Sequence, residues 1–287
     1  MEKIKEISIN EENYPTLLKK IKNPPKKLYY LGEIKKEEDC FALVGTRRPT
    51  PYGKEATLKI AKKLALSGLT LVSGFAPGID TIVHQVALEL KKRTIAILGT
   101  GLDQKVIYPR SNLYLIEKIL ENKGCLISEF PPQTKGSKFT FPKRNRLISG
   151  ISLGLLVLEA KEKSGALITA QFAFEQKKKV FAVPGSIFSE NSKGCHLLIQ
   201  KGAFLVENGN EILEKLNLKI NSLSENFSFT EKEKLIWDSL KNGEKDLEEI
   251  VKETKLSAPL VLSLISKLES EGKIKNLGGN IFSRVNF

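Results

Sequence analysis

Short apolar runs recur along most of the chain, each closed by a glycine or small polar residue and followed by a segment of mixed character. FALVG (41–45), TLVSG (70–74), TIAILG (94–99), CLISE (125–129), GLLVLEA (154–160) and KVFAVPG (179–185) have strand length. Their branched and aromatic side chains suit a pleated surface. Between them, residues 53–67, 79–91, 112–122 and 165–177 set apolar positions three and four apart, the spacing of one helical face. Strands that are apolar on both faces and alternate with helices predict a mostly parallel sheet covered on both sides, an α/β fold of the extended Rossmann-like, doubly wound type. AFLV (203–206) and EILEKL (211–216) predict a last strand and helix at the sheet edge.

Ahead of this repeat, residues 1–36 form a basic, proline-containing lead-in, too short for a core of its own and expected to pack on the main domain of residues 37–216. NLKINSLSENFSF (217–229) is polar and rich in Asn and Ser, which predicts a linker. In residues 230–287, TEKEKLIWDSLKN, DLEEIVKETK and SAPLVLSLISKLESEG have helical spacing, and two strand-like pieces flank NLGGN (276–280). Thr230 with Glu233 forms a capping-box start, and Ser257 with Pro259 marks another helix start. Three helices and a glycine-turned hairpin predict a small C-terminal winged-helix domain, a fold that often reads DNA through its third helix.

Composition narrows the function classes. With 41% hydrophobic and 28% charged residues in 287, the chain has ordinary globular usage, which excludes wholesale disorder. No apolar run approaches the ~20 residues of a membrane span. The opening MEKIKEISINEEN lacks the apolar stretch of a signal peptide, so a cytoplasmic protein is expected, with no membrane partner. Cys40, Cys125 and Cys195 include no C-x-x-C pair, and His84 and His196 have no third ligand beside them, so no metal is expected. No G-x-x-x-x-G-K-[ST] occurs, and no cofactor is expected.

Charge changes the picture most. The net charge is +13, yet residues 228–287 balance ten basic against ten acidic side chains. The whole surplus therefore lies ahead of them. Phe130–Gly150 carries Lys135, Lys138, Lys143, Arg144 and Arg146 with no acid, and Val44–Lys63 carries six basic residues against Glu55 alone. Basic excess focused on a few segments marks a polyanionic partner. The third tail helix, with Lys267 against Glu269 and Glu271, does not suit DNA reading.

In an open parallel sheet, ligands bind beyond the carboxyl ends of the strands. Those ends here read GTRRPTPYG, SGFAPGID, GTGLDQKVIYPRSN, SEFPPQTKGSKFTFPKRNR, EAKEKSGALITA and PGSIFSENSKGC. Gly45, Gly74, Gly99, Gly101 and Gly165 are expected to let backbone approach a ligand closely, and Arg47, Arg110 and Arg144 offer forked donors to phosphate. Taken in this order, the six segments resemble the DprA/Smf family of DNA-processing proteins over residues 14–216. The resemblance implies an extended Rossmann domain that binds single-stranded DNA, forms homodimers and loads the RecA recombinase in natural transformation, without known enzymatic activity. One departure is the short amino-terminal extension, which leaves little room for the small helical domain of many relatives.

Carried onto this sequence, the resemblance makes Arg47 and Arg110 phosphate contacts and adds Lys138 and the cluster Arg144, Asn145, Arg146 along one groove. The rival reading of Arg47 is an ion pair capping the sheet, and of Arg110 a plain exposed loop residue. Phe141 reads as a base-stacking ring or as core. Asn145 and Arg146 read alternatively as internal groups bonding loop carbonyls. Ser164, Gly165 and Thr169 sit where a helix start can hold a phosphate, or where Ser164 is an ordinary N-cap. Duplex DNA remains a further possible ligand.

The competing function class is a nucleotide-binding Rossmann enzyme of the phosphoribohydrolase type. Its PGG-x-GT-x-x-E segment is absent. Glu129 and Glu159 end two strands and read either as paired carboxylates for acid–base or magnesium chemistry or as ion-pair partners of Arg144 and Arg146. His84 lies four residues after Asp80, within hydrogen-bonding reach on a helix, and His196 reads as a helix-start residue. No catalytic residue is assigned. A third reading, in which the tail binds DNA and the larger part senses a small molecule, runs against the placement of charge.

Overall fold

Every residue of the strand Cys40–Val44 is buried, and successive side chains enter opposite faces of the sheet. Cys40, Ala42 and Val44 enter one apolar layer, and Phe41 and Leu43 the other. A strand buried on both faces gains no stabilisation from polar positions, which is why this run is apolar throughout. The computed structural model describes residues 2–218, 229–271 and 273–284. The chain divides into two compact units, Met1–Asn221 and Ser222–Phe287.

The first unit contains, in chain order, β1 (Lys5–Ser8), α1 (Thr16–Lys19), β2 (Lys27–Gly32), β3 (Cys40–Val44), α2 (Pro51–Leu66), β4 (Thr70–Ser73), α3 (Ile79–Glu89), β5 (Thr94–Ile97), α4 (Tyr114–Glu121), β6 (Cys125–Ser128), α5 (Thr140–Gly150), β7 (Gly154–Val157), α6 (Gly165–Glu175), β8 (Lys179–Ala182), α7 (Lys193–Gln200), β9 (Phe204–Leu205) and α8 (Gly209–Lys215). The strands form one sheet in the order β1-β2-β6-β5-β4-β3-β7-β8-β9. From β6 to β9 neighbours are parallel. β1 and β2 extend the sheet as an antiparallel edge. The fold is thus the expected α/β, doubly wound type.

One layer packs Leu18 of α1, Leu147 and Ile148 of α5, Ala170 and Ala173 of α6, and Leu198 of α7 against the sheet. The opposite layer takes Ile60 and Leu64 of α2, Val83 of α3, Ile212 of α8, and Ile116 and Ile119 of α4. The chain runs β3 to β6 in one direction, then returns to place β7 on the free side of β3. The connections after β3 and β7 therefore leave for opposite faces, and a crevice opens between them.

Three features differ from the sequence reading. The lead-in supplies β1 and β2 as well as the fully buried Tyr14 and Leu18. The basic segment FPKRNR, placed by the sequence among the ligand-facing strand ends and assigned no helix there, is helical in α5. His84 does not bond Asp80: its Nδ1 meets Thr94 Oγ1 at 2.8 Å and its Nε2 meets the Gly74 carbonyl at 2.7 Å. The expected linker, 217–229, falls mostly on residues outside those described.

The second unit has α9 (Glu231–Ser239), β10 (Lys245–Asp246), α10 (Leu247–Thr254), α11 (Ala258–Ser270), β11 (Ile274–Gly278) and β12 (Ile281–Arg284). Its strands pair antiparallel in the order β10-β12-β11. Ile236, Ile250, Val261, Ile265, Leu268 and Phe282 make its core. Capping boxes open α9 (Thr230, Glu233) and α10 (Asp246, Glu249), each satisfying orphan amides at both ends of the motif.

Candidate nucleic-acid interface

The crevice between the β3 and β7 connections opens into a cavity of about 660 Å³. Its walls are the segment after β3 (Thr46, Arg47, Arg48), the segment after β7 (Lys161, Lys163, Ser164), the start of α6 (Gly165, Ala166), and α5 with the residue Lys138 ahead of it. Local chemistry fixes each wall. Ile79 donates its amide to the Thr46 carbonyl at 3.2 Å, pulling the β3 connection onto the start of α3. Gly78, at φ +84°, lies so close to the Thr46 and Arg47 carbonyls that a side chain would collide with them. Ser164 caps α6 by accepting the Ala166 amide at 3.2 Å.

Arg47, Arg48, Lys138, Lys161 and Lys163 are exposed around the cavity, and among the described residues none of them makes an ion pair. The eleven-residue α6 points its N-terminus into the same space, adding the partial positive charge of its first-turn amides. Phe141 lines the wall, half-buried and edge-on to Tyr108 at 6.0 Å between ring centroids. Phe139 is 73% exposed, with the Lys138 ammonium 5.2 Å from its ring centre.

Of the ten site residues expected from sequence, eight line this cavity and two do not. Arg47, Lys138, Phe141, Ser164 and Gly165 present accessible groups there. Arg144, Asn145 and Thr169 line it but are buried and bonded. Arg144 donates to the Ile97 carbonyl and to Asn145 Oδ1, so the fork expected for phosphate is committed to the fold. Burial pulls its pKa down to about 10, against the opposing pull of Asp80. Burial in turn raises Asp80, with Arg144 acting the other way. Asn145 Nδ2 and Thr169 Oγ1 both donate to the Gly165 carbonyl, at 3.2 and 3.4 Å, and so brace the first turn of α6.

Arg110 is exposed outside the cavity, donating to the Gln104 carbonyl at 2.8 Å. Arg146 lies on another side of α5, paired with Glu129 at 2.5 Å. The glycines also divide. At Gly45, Gly74, Gly99 and Gly101 a side chain would strike protein atoms, including Ile79, Asp80 and the Phe141 ring, and only Gly165 of the five borders open space. Helix and loop packing against the strand ends, rather than a ligand, fills the room these four leave.

Sequence reasoning missed Arg48, Lys161 and Lys163. The signal was present, since EAKEKSG sets two lysines at a strand end just before a helix start. The carboxylates are engaged elsewhere: Glu159 accepts from Thr50 Oγ1 at 2.6 Å and from the Thr50 amide at 2.9 Å, holding the start of α2. Glu129 holds Arg146 and, at 3.4 Å, Lys143. Neither lines the cavity. Among the described residues no group of His, Cys, Asp and Glu could hold a metal ion, and no helix is long and apolar enough to cross a membrane.

A family model described as DNA recombination-mediator protein A matches residues 5–217. The chain is 42% identical over 215 residues to the DNA processing protein DprA of Bacillus subtilis, covering 74% of this chain and 71% of that one. It spans from 49% to 74% of the length of the curated relatives it matches. The crystal structure of DNA processing protein A from Streptococcus pneumoniae is similar at TM-score 0.68 and 39% identity, covering 74% of each chain. A structure of DNA processing protein A from Helicobacter pylori, described for its single-stranded DNA binding mode, is similar at TM-score 0.65 and 35% identity, covering 72% of this chain and 94% of that one.

Proposed function

The chain belongs to the DNA recombination-mediator protein A family, and from that premise we propose that it binds single-stranded DNA in the cavity between the β3 and β7 connections. The observation that carries this reading is the ring around one cavity of five cations that make no ion pair among the described residues, with a helix N-terminus at the cavity wall. Unpaired cations release counterions from a polyphosphate when they replace them, and this supplies sequence-independent affinity. In this reading Arg47, Arg48, Lys138, Lys161 and Lys163 take phosphates, the Gly165 turn takes one more, and Phe141 offers a face to a base. Arg144, Asn145 and Thr169 position those groups. Arg110 and Arg146 lie off the main track.

The protein is then a binding protein and not a catalyst, acting in transformation or recombination by handing its strand to the RecA recombinase. It acts as a homodimer. The edge strand β9 supports this, since both of its residues, Phe204 and Leu205, are exposed apolar side chains on a strand whose outer edge pairs with no other strand among the described residues. Glu129 and Glu159, each engaged in holding the fold, give the nucleotide-enzyme reading no support.

Titration against oligo(dT) and a duplex of equal length, each across a salt series, tests the reading. Tight binding of oligo(dT) is expected, with log K falling by ~0.7 per phosphate neutralised for each decade of salt. Absent or salt-insensitive binding overturns it. For the RecA role, the expected result is faster strand exchange on DNA precoated with single-strand-binding protein.

A further inference from the structure

We propose that the turn Ser186–Ser189 carries a base-stacking platform, Phe188 with Ile187 beside it, which extends the single-strand track beyond the cavity. The inference rests on the cavity binding single-stranded DNA. Phe188 is 92% exposed and Ile187 74%, the two most exposed large apolar side chains described. A lone exposed ring is ordinary surface, but Phe188 and Ile187 are neighbours on one turn and together make a contiguous apolar tip, the kind of feature that marks an interaction site.

The tip is held out by a firmly tied segment. Ser189 closes the turn by donating its amide to the Ser186 carbonyl at 3.0 Å, and the Phe188 amide donates to Ser186 Oγ at 3.2 Å. On one side Tyr52 Oη bonds the Pro184 carbonyl at 2.6 Å and His196 Nε2 bonds the Gly185 carbonyl at 3.1 Å. On the other, Asn191 Nδ2 donates to the Arg48 carbonyl at 3.2 Å and the Asn191 carbonyl accepts the Ala160 amide at 2.7 Å. A ring presented this way loses little freedom on stacking.

Continuity with the cavity and charge identify the occupant. Asn191, three residues past Phe188, lines the cavity and ties this segment to Arg48, one of its unpaired cations. Of the nearby acids, Glu190 pairs with Lys193 at 2.5 Å, and Glu162 sits between the cavity residues Lys161 and Lys163, so cations flank both. A stacking ring next to a cationic track is how proteins hold single strands without sequence preference.

The test compares the full chain with Phe188→Ala and Phe188→Trp on oligo(dT) and on an abasic sugar-phosphate strand of equal length. Phe188→Ala is expected to weaken oligo(dT) binding roughly five- to a hundredfold while leaving the abasic strand unchanged, because only bases stack. Phe188→Trp should restore the affinity, and the emission it adds to that of Trp237 should be quenched by oligo(dT). Arg47→Ala, by contrast, should weaken both strands. Equal binding by parent and Phe188→Ala, equal losses on both strands, or unquenched emission overturns the platform while leaving the cavity reading standing. So does a change in self-association by light scattering with DNA binding intact, which would assign the turn to a protein contact. A parent chain that binds neither strand removes both.

Discussion

Among the described residues the tail holds four of its ten cations in ion pairs, whereas five cations gather without one around a single cavity of the larger unit. In the tail, Lys267 is 2.6 Å from Glu233, Lys273 is 2.5 Å from Glu271, Arg284 is 3.4 Å from Asp238, and Lys245 pairs with Glu253. Arg284 also lies over the Trp237 ring at 4.5 Å. The hydrogen bond from Lys267, helped by that of the Thr230 amide, holds the Glu233 carboxyl down to about 2. Around the cavity of the larger unit, Arg47, Arg48, Lys138, Lys161 and Lys163 have no such partners among the described residues. Counting charges gives the larger unit a surplus and residues 228–287 none, and the convergence of unpaired cations on one cavity decides where a polyanion binds. A cation already held by a carboxylate gains little from a phosphate.

The same contrast runs within the larger unit, where Arg144 is architecture and Arg47 is surface. The largest expected effect follows from Arg144. Arg144→Met removes the donor to the Ile97 carbonyl and leaves Asp80 buried without its countercharge, so it should destabilise the larger unit by ~3–5 kcal/mol in a urea titration followed by circular dichroism. The sole tryptophan, in the tail, reports the other unit separately. A loss of DNA affinity with unchanged stability would make Arg144 a contact instead.

A smaller effect depends on pH. Burial pulls His84 from 6.5 down to about 4, so it stays neutral between its Thr94 and Gly74 partners. Between those values the unfolded chain binds a proton that the folded chain refuses. Stability of the larger unit should therefore fall as pH drops from 6.5 to 4, by up to ~3 kcal/mol, and level off on either side. Urea midpoints at a series of pH values check this, and His84→Gln should flatten the slope.

Smaller again is the effect on binding. Arg47→Ala with Lys138→Ala should weaken oligo(dT) binding about a hundredfold at moderate salt, while Arg110→Ala, outside the cavity, should change it by less than about threefold. Fluorescence anisotropy at fixed salt gives both values. Equal losses for the two proteins would widen the track to include the Arg110 segment.

How much of this was legible in sequence depended on whether pattern and burial agreed. The strands Cys40–Val44 and Gly154–Val157 are apolar throughout and lie where their runs predict. The helix α5 was not legible, because burying Arg144 and Asn145 inverts the apolar face by which a helix is recognised. β1 and β2 are short, partly exposed edge strands, KEIS and KLYYLG, whose pattern is weak. At the site, chemical type pointed to the right segments. Which arginine is unpaired depends on partners distant in sequence, such as Glu129 for Arg146 and Ile97 for Arg144. Lys161 and Lys163 were legible from their strand-end position.

The most direct test of the contrast between the units is the salt dependence of oligo(dT) binding by the full chain and by residues 1–227. If the unpaired cations of the larger unit carry the affinity, the two proteins will have the same slope of log K against log salt, within the ~0.7 of one phosphate. Their affinities should agree within about tenfold, or ~1.4 kcal/mol. If residues 1–227 bind no DNA while residues 228–287 alone bind as tightly as the whole chain, the function lies in the tail and the account is contradicted.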